Sequence, residues 1–129
     1  MLQSFPQMID YLSLDIDGYY DTVLQRIPFN NHTFSVITIE HDFYRYGSLY
    51  RDKERQILTS FGYYLLCPDV SNDGNIFEDW WIHPSAFPTS VFSTLKAMDL
   101  KRKDHKQLIQ TIRANMHNAS LEKSNLEEN

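Results

Sequence analysis

The sequence predicts an α/β fold in which strands and helices alternate and an antiparallel hairpin closes the sheet. Apolar runs rich in strand formers alternate with segments of helical periodicity over residues 8–61. Two aromatic and β-branched runs then flank Asp73-Gly74, which is a strong signal for a hairpin turn. The chain has 129 residues, which is enough for one modest domain.

The elements are expected in the order strand, helix, strand, helix, hairpin, with helices after Pro88. Two strand–helix–strand units favour parallel pairing with right-handed crossovers and helices on both faces of the sheet. On the second helix, we expect four apolar side chains to face the core: Leu49, Ile57, Leu58 and Phe61. In the last strand, Trp80 and Trp81 alternate, so one should enter the core and the other face outward. The predicted segments are strands at 8–16 and 34–41, helices after Gly18 and at 48–61, an α/β body at 1–86, a helical extension at 87–117 and a disordered tail at 118–129.

Composition excludes several classes of partner. Residues 1–100 carry six Lys/Arg against thirteen Asp/Glu, and an acidic body of this kind argues against a nucleic-acid partner. No apolar stretch is long enough to span a bilayer, so we expect no membrane partner and a cytoplasmic location. The single cysteine, Cys67, cannot form an internal disulfide and is expected to be an apolar filler.

Polar residues follow the first two predicted strands directly. Asp15, Asp17 and Gly18 come after the first strand, and Glu40 and His41 come after the second. Ligands of open parallel sheets bind beyond the carboxyl ends of the strands, so both groups should face one crevice. Asp17 could instead cap the following helix, and His41 could be a structural histidine. A divalent ion held by Asp15, Asp17 and Glu40 is also open, although nothing in the sequence requires a metal.

Four segments resemble, in order, the C-terminal half of FkbM-type methyltransferases. They are MIDYLSLDIDGYYDTVL, FSVITIEHDFYR, ILTSFGYYLL and FEDWWIHP, within residues 8–84. The resemblance implies a partial Rossmann-like class I methyltransferase sheet, built as strand-helix-strand-helix-β-hairpin with a C-terminal helical extension. It also implies S-adenosylmethionine as cofactor and O-methylation of a small-molecule or glycan acceptor.

The resemblance further implies roles for the strand-end residues. Asp15 and Gly18 would lie beside the cofactor, while Asp15, Asp17, Glu40 and His41 would form the catalytic group that orients the acceptor or takes its proton. Tyr20 stands where the family has a glutamate, and the family's first strand and Gly-rich turn have no counterpart. We therefore expect a fragment or half of a split fold that does not bind the cofactor tightly alone, with an exposed edge strand that allows self-association.

Two further functions stay open at this stage. The strand end Asp15-Ile16-Asp17-Gly18 resembles the first motif of haloacid dehalogenase-type phosphatases, which would make Asp15 a nucleophile and Asp17 an acid/base beside Mg²⁺. Alternatively, the chain could be a non-catalytic truncated or interaction module that pairs through its edge strand.

Overall fold

The computed structural model of the protein describes residues 7–15 and 20–128. In this part of the chain a four-stranded mixed sheet combines with helices, which confirms the predicted α/β class. The strands are β1 (Gln7–Leu14), β2 (His32–Glu40), β3 (Tyr64–Asn72) and β4 (Asn75–Ile82). The helices are α1 (Tyr20–Arg26), α2 (Phe43–Tyr46), α3 (Ser48–Ser60), α4 (Thr89–Lys96) and α5 (His105–Glu128), with a 3-10 turn at Pro84–Ala86.

The strands follow the order β1-β2-β4-β3 across the sheet. β1 and β2 pair in parallel, as a strand–helix–strand unit through α1 requires. β3 runs in the direction of β2, but β4 lies between them and is antiparallel to both. The second strand–helix–strand unit therefore has the predicted direction without direct pairing, because the hairpin folds β4 back against β2.

The hairpin turn lies at the predicted dipeptide. Asn72 pairs with Asn75, which leaves Asp73 and Gly74 as a two-residue turn. Both residues have left-handed backbones, with φ of 50° and 81°, as the tight turns that match strand twist require. Aspartate tolerates this conformation better than most residues and glycine adopts it without steric cost, so this dipeptide fixes the hairpin register.

The main core lies between the sheet and helices α1 and α3. Its side chains come from every layer, including Leu24 of α1, Leu58 of α3 and Trp81 of β4. A second core on the other side of the sheet joins Cys67 to Leu108 of α5. The remaining buried members of the main core are Leu14, Phe29, Phe34, Ile37, Ile39 and Tyr63.

The adjacent tryptophans lie on opposite faces of β4, as strand alternation predicts. Trp81 is buried in the main core, whereas Trp80 is half-buried and packs against the second core. The predicted outward tryptophan is therefore partly covered, because Met98 and Ile112 of the C-terminal segment pack against the same core.

Two expectations about the helices differ from the structure. Leu49 and Phe61 are exposed rather than inward, because only the side of α3 that carries Leu58 meets the sheet. Helix α5 continues to Glu128 through residues expected to form a disordered tail. That segment holds two leucines, three glutamates, one lysine and one alanine, all strong helix formers.

Strand β1 forms one edge of the described sheet and carries exposed apolar side chains. Met8 and Tyr11 are 51% and 55% exposed, and Ile9 is exposed as well. An edge of this kind offers unpaired backbone groups to another strand. Self-association through β1 stays a prediction.

Substitution of Leu58 tests which side of α3 carries the core. Leu58 is fully buried, whereas Leu49 on the same helix is 55% exposed. We expect Leu58→Ala to lower the free energy of unfolding by about 2–5 kcal/mol, through lost burial and a cavity. Leu49→Ala is the matched control and should change it by less than about 0.5 kcal/mol. Urea denaturation measures both, and equal losses would contradict this assignment of the core.

Candidate functional site

Two glutamates face each other across neighbouring strands at the carboxyl end of β2. Glu40 ends β2 and pairs with Glu78 of β4. Opposed cross-strand residues project to the same face of the sheet, so the two carboxylates share one face. The preceding pair on that face, two residues along each strand, is Thr38 with Trp80.

Asp15 extends this pair to a third strand. It directly follows Leu14, whose partner in β2 is Ile39, so the next position places Asp15 beside Glu40. Asp15 is exposed and its charge acts on Glu78. We call Asp15, Glu40 and Glu78 the carboxylate row. The structure therefore brings together two predicted residues, Asp15 and Glu40, and adds Glu78.

Glu78 has a perturbed carboxyl group. Burial raises its pKa, and the nearby charge of Asp15 raises it further. Its hydrogen bond from Trp80 Nε1 to Oε1, at 2.8 Å, acts in the opposite direction, as does a positive charge on His105. The pKa of Glu78 is raised overall, which is typical of acid/base groups in functional sites.

The other predicted site residues have different outcomes. Asp17 and Gly18 lie outside the described residues. His41 is fully buried, and its Nε2 lies 3.1 Å from Oδ1 of Asp79. Its Nδ1 accepts a hydrogen bond from the backbone N–H of Phe43 at 3.2 Å. These contacts assign a neutral imidazole that donates through Nε2, so both ring nitrogens are engaged.

His41 belongs to a buried network of charged side chains on the face opposite the carboxylate row. Asp79 pairs with Ile39, a member of the main core, which places it on that side. Arg55 of α3 donates from Nε to Asp79 Oδ2 at 2.8 Å and from Nη2 to Oδ1 at 2.9 Å. This two-point contact is the strong geometry for a guanidinium and a carboxylate.

A second carboxylate joins the network through an irregular part of β3. Asp69 has φ of 59° at a shift in register, and its backbone N–H donates to Asp79 Oδ1 at 2.8 Å. Its Oδ1 accepts from Arg55 Nη2 at 2.9 Å and from Arg51 Nη1 at 3.2 Å. We call these four residues, together with His41, the Arg55–Asp79 network.

The network controls the ionisation of its members. Burial acts to raise the pKa of Asp79, but the hydrogen bonds from Arg55 and His41 outweigh it and hold the pKa at about 2. Burial acts to lower the pKa of Arg55, and the contacts with Asp79 and Asp69 raise it overall. Arg55 and Asp79 therefore stay charged at neutral pH.

Three residues of the network have ligand atoms as close together as those of a metal site. His41, Asp69 and Asp79 each offer a ligand atom within 4.8 Å of the others. A divalent cation there would have to displace Arg55 from both carboxylates. Two arginines already balance the two carboxylates, so the donor set fits an ion-pair network and does not fit a metal centre.

Cys67 is buried in the second core, as expected for an apolar filler. Burial and the charge of Asp79 raise the pKa of its thiol to about 12. The reactive form of cysteine is the thiolate, which is negligible at neutral pH here. Cys67 therefore has no part in the candidate chemistry.

Sequence reasoning missed Glu78, Asp79 and Arg55. One feature of the sequence could have indicated the two acids: Glu78-Asp79 lies inside an aromatic strand, where carboxylates need hydrogen-bonding or charged partners. Arg51 and Arg55 also share one side of α3 at a spacing of four residues. No local pattern identifies which acid meets which arginine.

Comparison with known proteins gives no relative. No protein-family model, curated protein or solved structure matches this chain. Among the described helices, none combines the length and apolar character needed to cross a membrane. The cytoplasmic location stays a prediction.

Removal of the Asp79 charge tests the network. Asp79→Asn should lower the free energy of unfolding at pH 7 by about 2–3 kcal/mol, because it removes the main charge partner of the half-buried Arg55, which keeps Asp69. The folded-state pKa of about 2 lies below the ordinary value of 3.8, so Asp79 stabilises the fold above about pH 4. This contribution, roughly 2 kcal/mol, is lost as the pH falls from about 4 to about 2.

Denaturation between pH 2 and pH 7 measures both effects. Asp79→Asn should reduce the fall in the free energy of unfolding between about pH 4 and pH 2. Asp52→Asn, on the exposed side of α3, should retain that fall and lower the free energy of unfolding by less than about 1 kcal/mol. Parallel pH profiles for the wild type and Asp79→Asn would contradict the assignment.

Glu78 should have the opposite dependence on pH. Its pKa is raised in the folded state, so the fold binds this proton more tightly than the unfolded chain does. Ionisation of Glu78 therefore destabilises the fold as the pH rises from the ordinary pKa of glutamate through the raised pKa of Glu78. Glu78→Gln should make the protein more stable than wild type at pH 8, with a smaller difference at pH 4. Carboxyl-carbon NMR titration of Glu78 gives an independent measurement, and an ordinary or lowered pKa would contradict this prediction.

Proposed function

We propose that this chain forms the acceptor side of an S-adenosylmethionine-dependent methyltransferase of the FkbM type. The observation that carries the proposal is the carboxylate row, which lies at the carboxyl ends of the parallel strands β1 and β2. Ligands of α/β sheets bind at this edge. Hydroxylated acceptors also need hydrogen-bond acceptors of this kind.

The topology supports the same proposal. In the resembled fold, β1 and β2 correspond to the fourth and fifth of seven strands, and β3 and β4 to the closing hairpin. The parallel β1–β2 pair and the antiparallel hairpin are compatible with that correspondence. The partial Rossmann-like sheet belongs to this proposal.

The residues of the row have distinct proposed roles. Asp15 borders the donor pocket, and Glu40 orients the acceptor hydroxyl. His41 has no direct role in this proposal, because both of its ring nitrogens are engaged on the opposite face of the sheet. The roles of Asp17 and Gly18 stay predictions from the sequence. Glu78 is the preferred proton acceptor, because a raised pKa brings a carboxylate closer to the basicity that proton abstraction at neutral pH requires. S-adenosylmethionine supplies the electrophilic methyl group, and the residues position the nucleophile and take up its proton.

The donor pocket would have only one wall within the described residues. In the resembled fold the cofactor lies between the first and fourth strands, and β1 corresponds to the fourth. β1 is an edge of the described sheet, so no described strand supplies the opposite wall. We therefore propose weak cofactor binding by this chain. If a complete site binds with a micromolar Kd and one wall supplies half of the binding free energy, this chain should bind with a Kd of about 1 mM.

NMR titration with S-adenosylmethionine tests this proposal. We expect binding with a Kd of roughly 1 mM and amide shifts at the ends of β1 and β2, including Asp15 and Glu40. Asp15→Asn should weaken the binding, and Asp52→Asn is the matched control that should leave it unchanged.

Three results would contradict the proposal. Shifts confined to regions outside the ends of β1 and β2 would place the ligand elsewhere, and micromolar binding would contradict the one-walled pocket. Mg²⁺-dependent hydrolysis of p-nitrophenyl phosphate, abolished by Asp15→Asn, would support the phosphatase alternative instead.

A further inference from the structure

The side chains of Glu78 and Trp80 contact each other on the face of β4 that packs against the second core. The two residues are one position apart in the strand, so they project to the same face. Trp80 Nε1 lies 2.8 Å from Glu78 Oε1. An indole N–H can only donate, so Oε1 of Glu78 is the acceptor of this hydrogen bond.

Packing fixes the indole that donates this hydrogen bond. Trp80 is half-buried, and its ring packs against the second core, which includes Leu108 of α5. Its partner in β2 is Thr38, and its partner in β3 is Cys67. A side chain packed in this way stays in one rotamer, so the sheet and α5 together set the position of its N–H.

The hydrogen bond makes the two oxygens of Glu78 unequal. Protonation of Oε1 would weaken it as an acceptor for the indole, so the proton goes to Oε2. The hydrogen bond also favours the ionised carboxylate and therefore acts to lower the pKa of Glu78, against the effect of burial. Trp80 thus selects the oxygen that exchanges a proton and adjusts its basicity.

Other titratable groups face Glu78 from the neighbouring elements. Asp15 and Glu40 lie beside it in the carboxylate row. His105 begins α5 and acts on Glu78 by its charge when it is protonated. His41 is neutral, and both of its ring nitrogens are engaged on the opposite face. A charge at a distance acts on the whole carboxyl group, whereas the indole contacts one oxygen and so distinguishes it from the other.

We propose that Trp80 is a positioning residue for the proton acceptor of the candidate site. Its indole holds Oε1 of Glu78 and leaves Oε2 as the atom that receives the proton. That proton is the one that the acceptor hydroxyl loses when its oxygen bonds the methyl group and the methyl–sulfur bond breaks, with the electron pair staying on sulfur. The identity of the proton donor rests on the proposed function, but the coupling of Trp80 to Glu78 can be tested without cofactor or acceptor.

NMR of the two indole groups tests this inference, because the adjacent tryptophan is an internal control. We expect the Nε1–H resonance of Trp80 to shift with pH at the same midpoint as the carboxyl carbon of Glu78. Trp81 Nε1 is buried in the main core with no hydrogen-bond partner among the described residues, so its resonance should stay constant through that step. Glu78→Gln should abolish the step at Trp80 and retain any step caused by His105. A Trp80 resonance that does not follow the Glu78 midpoint would overturn the inference.

Removal of the donor measures its effect on Glu78. Trp80→Phe keeps an aromatic ring but removes the N–H, so the midpoint of the Glu78 titration should move to higher pH. We expect the proton affinity of Glu78 to rise roughly three- to tenfold, which corresponds to one net hydrogen bond. Tyr11→Phe removes the hydroxyl that contacts Thr38 on the same face, and this matched control should leave the midpoint unchanged. An unchanged or lower midpoint in Trp80→Phe would also overturn the inference.

These measurements separate this inference from the proposed function. If Trp80→Phe does not fold, the indole titration of the wild type still decides the inference. Failure to bind S-adenosylmethionine would contradict the proposed function and leave the Trp80–Glu78 coupling intact. Cofactor binding without that coupling would overturn the role of Trp80 alone.

Discussion

The buried contact between Arg55 and Asp79 is the interaction on which the arrangement of the α3 side depends. Asp79 is fully buried, and a carboxylate removed from water is costly unless its oxygens are satisfied. Here both oxygens are engaged, by Arg55, by the imidazole of His41 and by the backbone N–H of Asp69. These donors come from α3, the end of β2 and the irregular part of β3. The contact therefore requires three separate elements to meet β4 at one point.

Strand alternation gives two adjacent acids opposite properties. Asp79 projects toward α3, where a guanidinium lowers its pKa, whereas Glu78 projects to the other face, where burial raises its pKa. The following tryptophans repeat this alternation, since Trp81 enters the main core and Trp80 packs on the second core. One strand thus supplies a structural acid that is charged at neutral pH on one side and an acid with a raised pKa on the other.

Local patterns in the sequence predicted the elements of the fold but not their long-range pairing. Apolar periodicity identified the strands and helices, and Asp73-Gly74 identified the hairpin, because these features depend on neighbouring residues. The insertion of β4 beside β2 depends on contacts between distant segments, as does the choice of Arg55 as the partner of Asp79. For the site, chain position was enough to indicate Asp15 and Glu40, which follow parallel strands. Glu78 belongs to an antiparallel strand, and only the register reveals that it faces Glu40.

The same register places the buried network and the carboxylate row on opposite faces of the sheet. His41 follows Glu40 directly, yet it is engaged in the buried network through both ring nitrogens, while Glu40 lies in the carboxylate row on the other face. The network holds the end of β2 and the middle of β4 against α3, and these are the segments that carry Glu40 and Glu78. A site supported in this way can keep like charges close together without local rearrangement, because its backbone is fixed from the opposite side of the sheet. Burial, with a smaller effect of the Asp15 charge, raises the pKa of Glu78, and a bound proton removes the charge that burial disfavours. The face with the carboxylate row is therefore the side of this sheet suited to ligand chemistry, and the α3 face is the side that makes this arrangement stable.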